Sequence, residues 1–190
     1  MAELIDTTYF VEEIEVPNVA QAEVKVPLEK SILQYQKEVL ISLLGYSLYK
    51  ELIAHTVESG DKFDKLINGE DFSFSFEGEV IETRWEGLLG YQKKSLIAYY
   101  VYFMHRKKKQ SYNSGIDVEV EADTENSSKT SLYLKLVDIW NEFVTMYGDG
   151  CNDEHENADP SAYNYLLAKS VDFPTWKFTS QEGEVNRLGI

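Results

Sequence analysis

The stretch from Gly87 to Lys109 constrains the fold of this chain more than any other. Leu88, Leu89, Leu96, Ile97, Tyr99, Tyr100, Val101, Phe103 and Met104 crowd it, and it holds no proline. This pattern predicts a central helix. From Ser95 to His105 no residue carries a fixed charge, so the apolar surface runs most of the way round and several neighbouring elements must cover it. A membrane span is not expected: spanning hydrocarbon takes ~20 consecutive apolar residues, whereas Lys93 and Lys94 precede this run and Arg106 to Lys109 follow it. A helix over the whole stretch would be about 35 Å long, and the partners must lie along it.

Those partners are legible as further periodic segments. From Glu29 or Lys30 onward, Ile32, Leu33, Tyr35, Val39, Leu40, Leu43 and Leu44 recur at helical spacing, and Gly45 is placed to end the helix as a left-handed cap. Ser47 is placed to cap a second helix, Leu48 to about Val57, with Leu48, Leu52 and Ile53 inside. The period then changes to two. Phe72, Phe74 and Phe76 alternate with Asp71, Ser73 and Ser75, then Glu77 and Gly78 precede Val80 to Trp85, which predicts a β-hairpin over 71–85 with the phenylalanines on one face. Ile116, Val118 and Val120 alternate with acidic residues, as in a short exposed strand or a loop. Ser131 to Tyr147 is amphipathic through Leu132, Leu136, Ile139, Trp140, Phe143, Val144 and Tyr147, with Gly148 and Gly150 to stop it, and Pro160 opens a short helix to about Lys169.

The expected fold is therefore mainly α, a small bundle of about four to five helices with an inserted β-hairpin. The 190 residues fit one domain. Residues 1–27, with Pro17 and Pro27, are expected as an extended N-terminal arm, residues 28–170 as the bundle, and residues 171–190, with Phe173, Pro174, Trp176 and Phe178, as a C-terminal arm.

A formal charge of −15 argues against gripping nucleic acid over a broad basic face. It suits a wall past which DNA slides without sticking. The single cysteine, Cys151, excludes an internal disulfide and fits a reducing cytoplasm. Met1 to Phe10 shows no basic region followed by an apolar run, so no signal peptide is expected.

Chemistry-bearing candidates are few. Cys151, Asp153, His155, Glu156 and Asp159 mix metal-ligand types, but their spacing fits neither a zinc pattern nor an EF-hand loop, and a solvated acidic loop accounts for them. His55 and His105 lie near predicted helix ends, outside any nucleophile or metal motif. Arg106, Lys107, Lys108 and Lys109 form the one basic cluster. Cations suit a helix C-terminus, and the same cluster would also face an acidic partner or passing DNA. Trp140 falls on a core stripe, which leaves Trp176, in the arm, as the better interface anchor. No glycine-rich phosphate loop, GxSxG elbow or HExxH pair occurs.

Leu43 to Leu52 (LLGYSLYKEL), Trp85 to Leu89 (WEGLL), the tyrosine-rich Ala98 to Met104, Leu136 to Val144 (LVDIWNEFV) and the ending Asn186 to Ile190 (NRLGI) together resemble the head–tail connector, or adaptor, proteins of tailed bacteriophages, especially the Bacteroides-phage and crAss-like type. The resemblance implies a virion structural protein at the head–tail interface, made in the bacterial host cytoplasm. It would be a homo-oligomeric, dodecameric ring below the portal protein that extends the DNA channel and meets neighbouring tail or ring proteins. Double-stranded DNA would pass through without specific binding, and no enzyme activity, cofactor, metal or membrane is implied. Tyr9, Phe10, Phe74, Trp176 and Phe178 are the expected contact residues. A tail-completion or stopper ring component and a monomeric cytoplasmic binding module are the alternatives, the latter requiring Trp176 and the arms to fold back on their own core. A metal-dependent enzyme built on Asp153, His155 and Asp159 is a further rival.

Overall fold

In a computed structural model, the structure describes residues 3–55, 60–76, 78–113, 132–148 and 161–179. The longest element, α1, spans Ala22–Ala54 and buries Leu28, Ile32, Tyr35, Val39, Leu40, Leu43 and Leu44 along one face. The predicted stripe is the packed one except at Leu33, which is exposed; beyond Gly45, Leu48 and Leu52 are buried as expected whereas Ile53 is exposed. The helix begins well before Glu29 and carries Pro27 in its second turn, where the missing N–H removes one intrahelical bond without stopping the helix. Gly45 does interrupt it, although not as a left-handed cap: φ is 75° and ψ 156°, an extended mirror conformation that only glycine holds without strain. The break has a structural use. Carbonyls near it turn from the helix ladder to the C-terminal segment, with Lys177 N–H donating to Leu44 O (3.2 Å) and Thr179 N–H to Ser42 O (3.0 Å). Trp176 Nε1 donates to Leu43 O (2.8 Å).

A short helix that the periodicity did not announce, α2 (Lys62–Asn68), follows, with the Asp61 side chain accepting from Phe63 N and Asp64 N. That is an N-cap interaction. The strands β1 (Glu70–Phe76) and β2 (Glu79–Trp85) pair antiparallel from Glu70↔Trp85 to Phe76↔Glu79, so the expected hairpin is present, inserted between α2 and the central helix. Its inner face buries Phe72 and Trp85. Tyr165 clamps that face, stacked on Trp85 (5.4 Å) and edge-on to Phe72 (5.3 Å).

The central helix, α3, spans Leu96–Asn113 and is shorter than expected, because Gly87 to Ser95 is a folded loop with a 3-10 turn at Tyr91–Lys93. Gly90 has φ of 69°, and a Cβ there would lie 1.9 Å from Lys94 O, so no side chain fits that corner. Ser95 starts the helix: its Oγ donates to Leu88 O (2.7 Å) and accepts from Ile97 N–H (3.2 Å). Every residue from Leu96 to Phe103 is buried. The covering comes from α1 on one side and from α4 (Leu132–Tyr147) on another, through contacts such as Tyr35–Tyr100 and Phe103–Trp140. The last helix, α5 (Ala162–Ala168), packs on β1 and is capped by Ser161. The fold is thus mainly α, with five α-helices and one two-stranded hairpin among the described residues.

Both expected arms are corrected where the structure describes them. Residues 3–21 form 3-10 turns at Thr7–Tyr9 and Glu12–Ile14 rather than an extended arm, and Ile5, Phe10, Ile14 and Val16 belong to the core. Gln36, itself fully buried, holds this segment down by accepting from Leu4 N–H (2.9 Å) and Ile5 N–H (3.2 Å). α1 runs through residue 27, so no boundary falls there. Residues 171–179 likewise lie on the bundle, with Phe173 buried. The predicted alternation at Ile116 to Glu121 and the NRLGI ending lie outside the described residues.

Candidate interaction surfaces

The five predicted contact residues are not gathered in one place. Phe10 is 4% exposed and packed in the core, which removes it as a contact for a neighbour in this conformation. Tyr9 is half-buried beside it, with Lys93 Nζ 6.0 Å from its ring centroid. Lys93 Nζ also donates to Thr8 O and lies 3.0 Å from Thr8 Oγ1. Trp176 and Phe178 do come together, but around Tyr163 and Tyr147 of their own chain (5.7 Å for Tyr163–Trp176, 4.8 Å for Tyr163–Phe178, 5.1 Å for Tyr147–Phe178). Tyr147 Oη donates to Thr179 O (2.7 Å) and completes that clasp.

Phe74 lines an open feature. It stacks on Phe72 (5.7 Å) and borders a groove of 440 Å³ shared by Ser73 and Ser75 of β1 with Asn164, Leu167 and Ala168 of α5. Leu167 is half exposed, and Val171, just past the helix, is 90% exposed. Exposed apolar side chains also lie on α1: Val26 and Leu33, one heptad apart before the Gly45 break, and Tyr46 and Ile53, one heptad apart after it.

The basic cluster continues the C-terminal half of α3. The Arg106 guanidinium lies 5.3 Å from the Tyr102 ring, Lys135 Nζ of α4 5.9 Å from the same ring, and Lys107 Nζ 5.6 Å from Phe103. Aromatic faces thus gather three cations by cation–π attraction. Lys107 and Lys108 are exposed, while the side chain of Lys109 lies outside the described residues. The histidines are built into the packing. His105 is buried with Nδ1 2.9 Å from Ser31 Oγ, and His55 Nε2 is 2.6 Å from Asp61 Oδ2.

One polar cluster escaped sequence reasoning because its members are far apart in the chain. Glu70, at the start of β1, meets Lys65 (3.1 Å), Lys169 (3.0 Å) and Tyr165 Oη (3.0 Å). Burial pushes the Glu70 carboxyl up, but the bonds from Lys169, Lys65 and Tyr165 outweigh it and hold the group below its ordinary value. Burial, and then the bond to the same carboxylate, raise the Tyr165 phenol. These groups join α2, β1 and α5.

Among the described residues no three or more His, Cys, Asp or Glu side chains are placed to hold a metal ion, and no helix is long and apolar enough to cross a membrane. Cys151, Asp153, His155, Glu156 and Asp159 lie outside the described residues. No protein-family model matches the chain, and neither the curated proteins nor the solved structures yield a match.

Proposed function

We propose that this chain is a virion structural protein, a head–tail adaptor whose copies close into a ring below a phage portal and continue the DNA channel towards the tail. The observation that supports the reading is the presence of exposed apolar side chains at separate places, Val26 and Leu33 on α1 before the Gly45 break, Tyr46 and Ile53 after it, and Leu167 beside the groove that Phe74 lines. A heterologous contact repeated around an axis requires one surface to match a different one on the next copy, and burying large side chains supplies the energy of association. Portal and tail proteins are the further partners, and the cations at the end of α3 are the place where passing DNA or an acidic neighbour would be met. The role is structural rather than catalytic.

The test is to mix the purified chain with the portal of its own phage and image the complex by cryo-electron microscopy. A ring on the portal, lost in Leu33→Asp while the circular dichroism spectrum stays native, is the expected result. A second reading, a monomeric binding module, is favoured by the way Trp176 and the terminal segments lie on their own core. A chain that ignores the portal and stays monomeric in native mass spectrometry would sink the adaptor reading in favour of that one.

A further inference from the structure

The hairpin is a two-stranded sheet in which, among the described residues, neither outer edge is paired with another strand. α5 lies against β1, whereas β2 has no comparable cover among the described residues. Burial along β2 alternates: Val80, Glu82 and Arg84 are exposed, while Ile81, Thr83 and Trp85 are turned inward. Phe76 pairs with Glu79 across a two-residue connection, which makes that pair the hydrogen-bonded closure of the hairpin. By the antiparallel alternation, Glu79, Ile81, Thr83 and Trp85 spend their backbone groups on β1, and Val80, Glu82 and Arg84 point theirs to the open edge.

An edge of this kind presents unpaired N–H and C=O groups, a template on which another strand can pair where charges allow it. Its own charges select the partner. Glu82 and Arg84 are two residues apart on the same outward face, with opposite signs; Glu82 forms no ion pair among the described residues, while Arg84 makes exposed pairs within its own chain, with Asp71 (2.9 Å) and Glu86 (3.7 Å), that leave its guanidinium half open to solvent. If a second β2 is laid antiparallel about Thr83, Glu82 faces Arg84 of the second copy and Arg84 faces its Glu82. About Glu82 instead, glutamate opposes glutamate; about Ile81, Glu82 meets valine. Only the Thr83 register joins opposite charges twice, and it exchanges about four backbone hydrogen bonds between the two Glu82–Arg84 pairs.

We propose that β2 is a self-pairing edge, and that its ligand is β2 of a second copy, centred on Thr83, to give a four-stranded antiparallel sheet across a twofold axis. The inference concerns the free chain and does not rest on the adaptor reading, whose contacts lie on α1 and at the β1–α5 groove. Variants on α1 and variants on β2 therefore report separately.

The experiment uses the full chain. Native mass spectrometry and light scattering over a concentration series are expected to show a dimer. Glu82→Pro removes only an outward N–H, which an edge strand tolerates, and is expected to leave a monomer. Arg84→Glu places like charges opposite each other and is expected to weaken the dimer about tenfold or more, with the swap Glu82→Arg/Arg84→Glu restoring it. In a Cys151→Ser background, Thr83→Cys sits at the twofold as a non-hydrogen-bonded pair, close enough to form an intermolecular disulfide on mild oxidation, while Val80→Cys does not. Circular dichroism checks that each variant folds. A chain that stays monomeric throughout the series, or a dimer that survives both Glu82→Pro and Arg84→Glu, overturns the proposal.

Discussion

Carboxylates set how this molecule responds to acid. Glu70 is held below its ordinary value by Lys169, Lys65 and Tyr165 against an opposing burial cost. Glu13 is held down chiefly by the bond it accepts from the Tyr99 hydroxyl. A depressed folded-state value means that stability is fully present above the unfolded-state value and drains away as pH falls through the folded one. The melting temperature should therefore fall as pH drops below the ordinary glutamate value of 4.5. Glu70→Gln keeps the shape but offers a neutral acceptor, so it should cost about 1–2 kcal/mol near neutral pH and flatten the acid limb of the profile. Thermal melts of wild type and variant from neutral pH downward check this. Acid limbs of equal depth would show that Glu70 is not one of the groups responsible.

At the level of elements, Gly45 links the helix break to the C-terminal segment. A Cβ there would lie 3.0 Å from both Lys177 Cβ and Lys177 O, at a φ of 75°. Gly45→Ala should thus lose about 1–2 kcal/mol from the backbone strain of a left-handed φ alone, with protection lost first at the amides of Lys177 and Thr179. Trp176→Ala, which empties the contacts with Tyr163 and Phe178 and the bond to Leu43 O, should cost about 2–4 kcal/mol. Hydrogen exchange and denaturant melts read both, and a Gly45→Ala protein with unchanged exchange at Lys177 would separate the break from the clasp. The break at Gly45, the hairpin and α4 were legible because periodicity and a single glycine or turn carry them. The start of α3 was not: Leu88 and Leu89 look helical, and only the folded loop shows Ser95 closing onto Leu88. The N-terminal segment was misread because Pro17 and Pro27 argue against a long helix there, while what holds it is Gln36, distant in sequence and silent in any local pattern. The Glu70 cluster, assembled from three elements, was hidden for the same reason.

For the whole molecule, the question is whether the terminal segments are accessories or part of one folding unit. The apolar cluster runs without a gap from Ile5 through α1, the hairpin, α3 and α4 to Phe173. Trp85 in the hairpin, Trp140 in α4 and Trp176 in the C-terminal segment sample three separate parts of it. Segments that share one core unfold together, because removing either one exposes apolar surface on the rest. Three proteins, each keeping a single tryptophan with phenylalanine at the other two positions, should therefore give the same denaturant midpoint by fluorescence, coincident with the loss of helical circular dichroism. Substitution will shift the absolute stability of each, so every fluorescence curve is compared with the circular dichroism of its own variant. A Trp176 signal that moves at lower denaturant than the helices would make the C-terminal segment a detachable arm, the behaviour expected of an element that waits for a neighbouring subunit. Coincidence at all three positions would place any assembly contact on surfaces that are already exposed in the folded chain, α1 and the β1–α5 groove foremost.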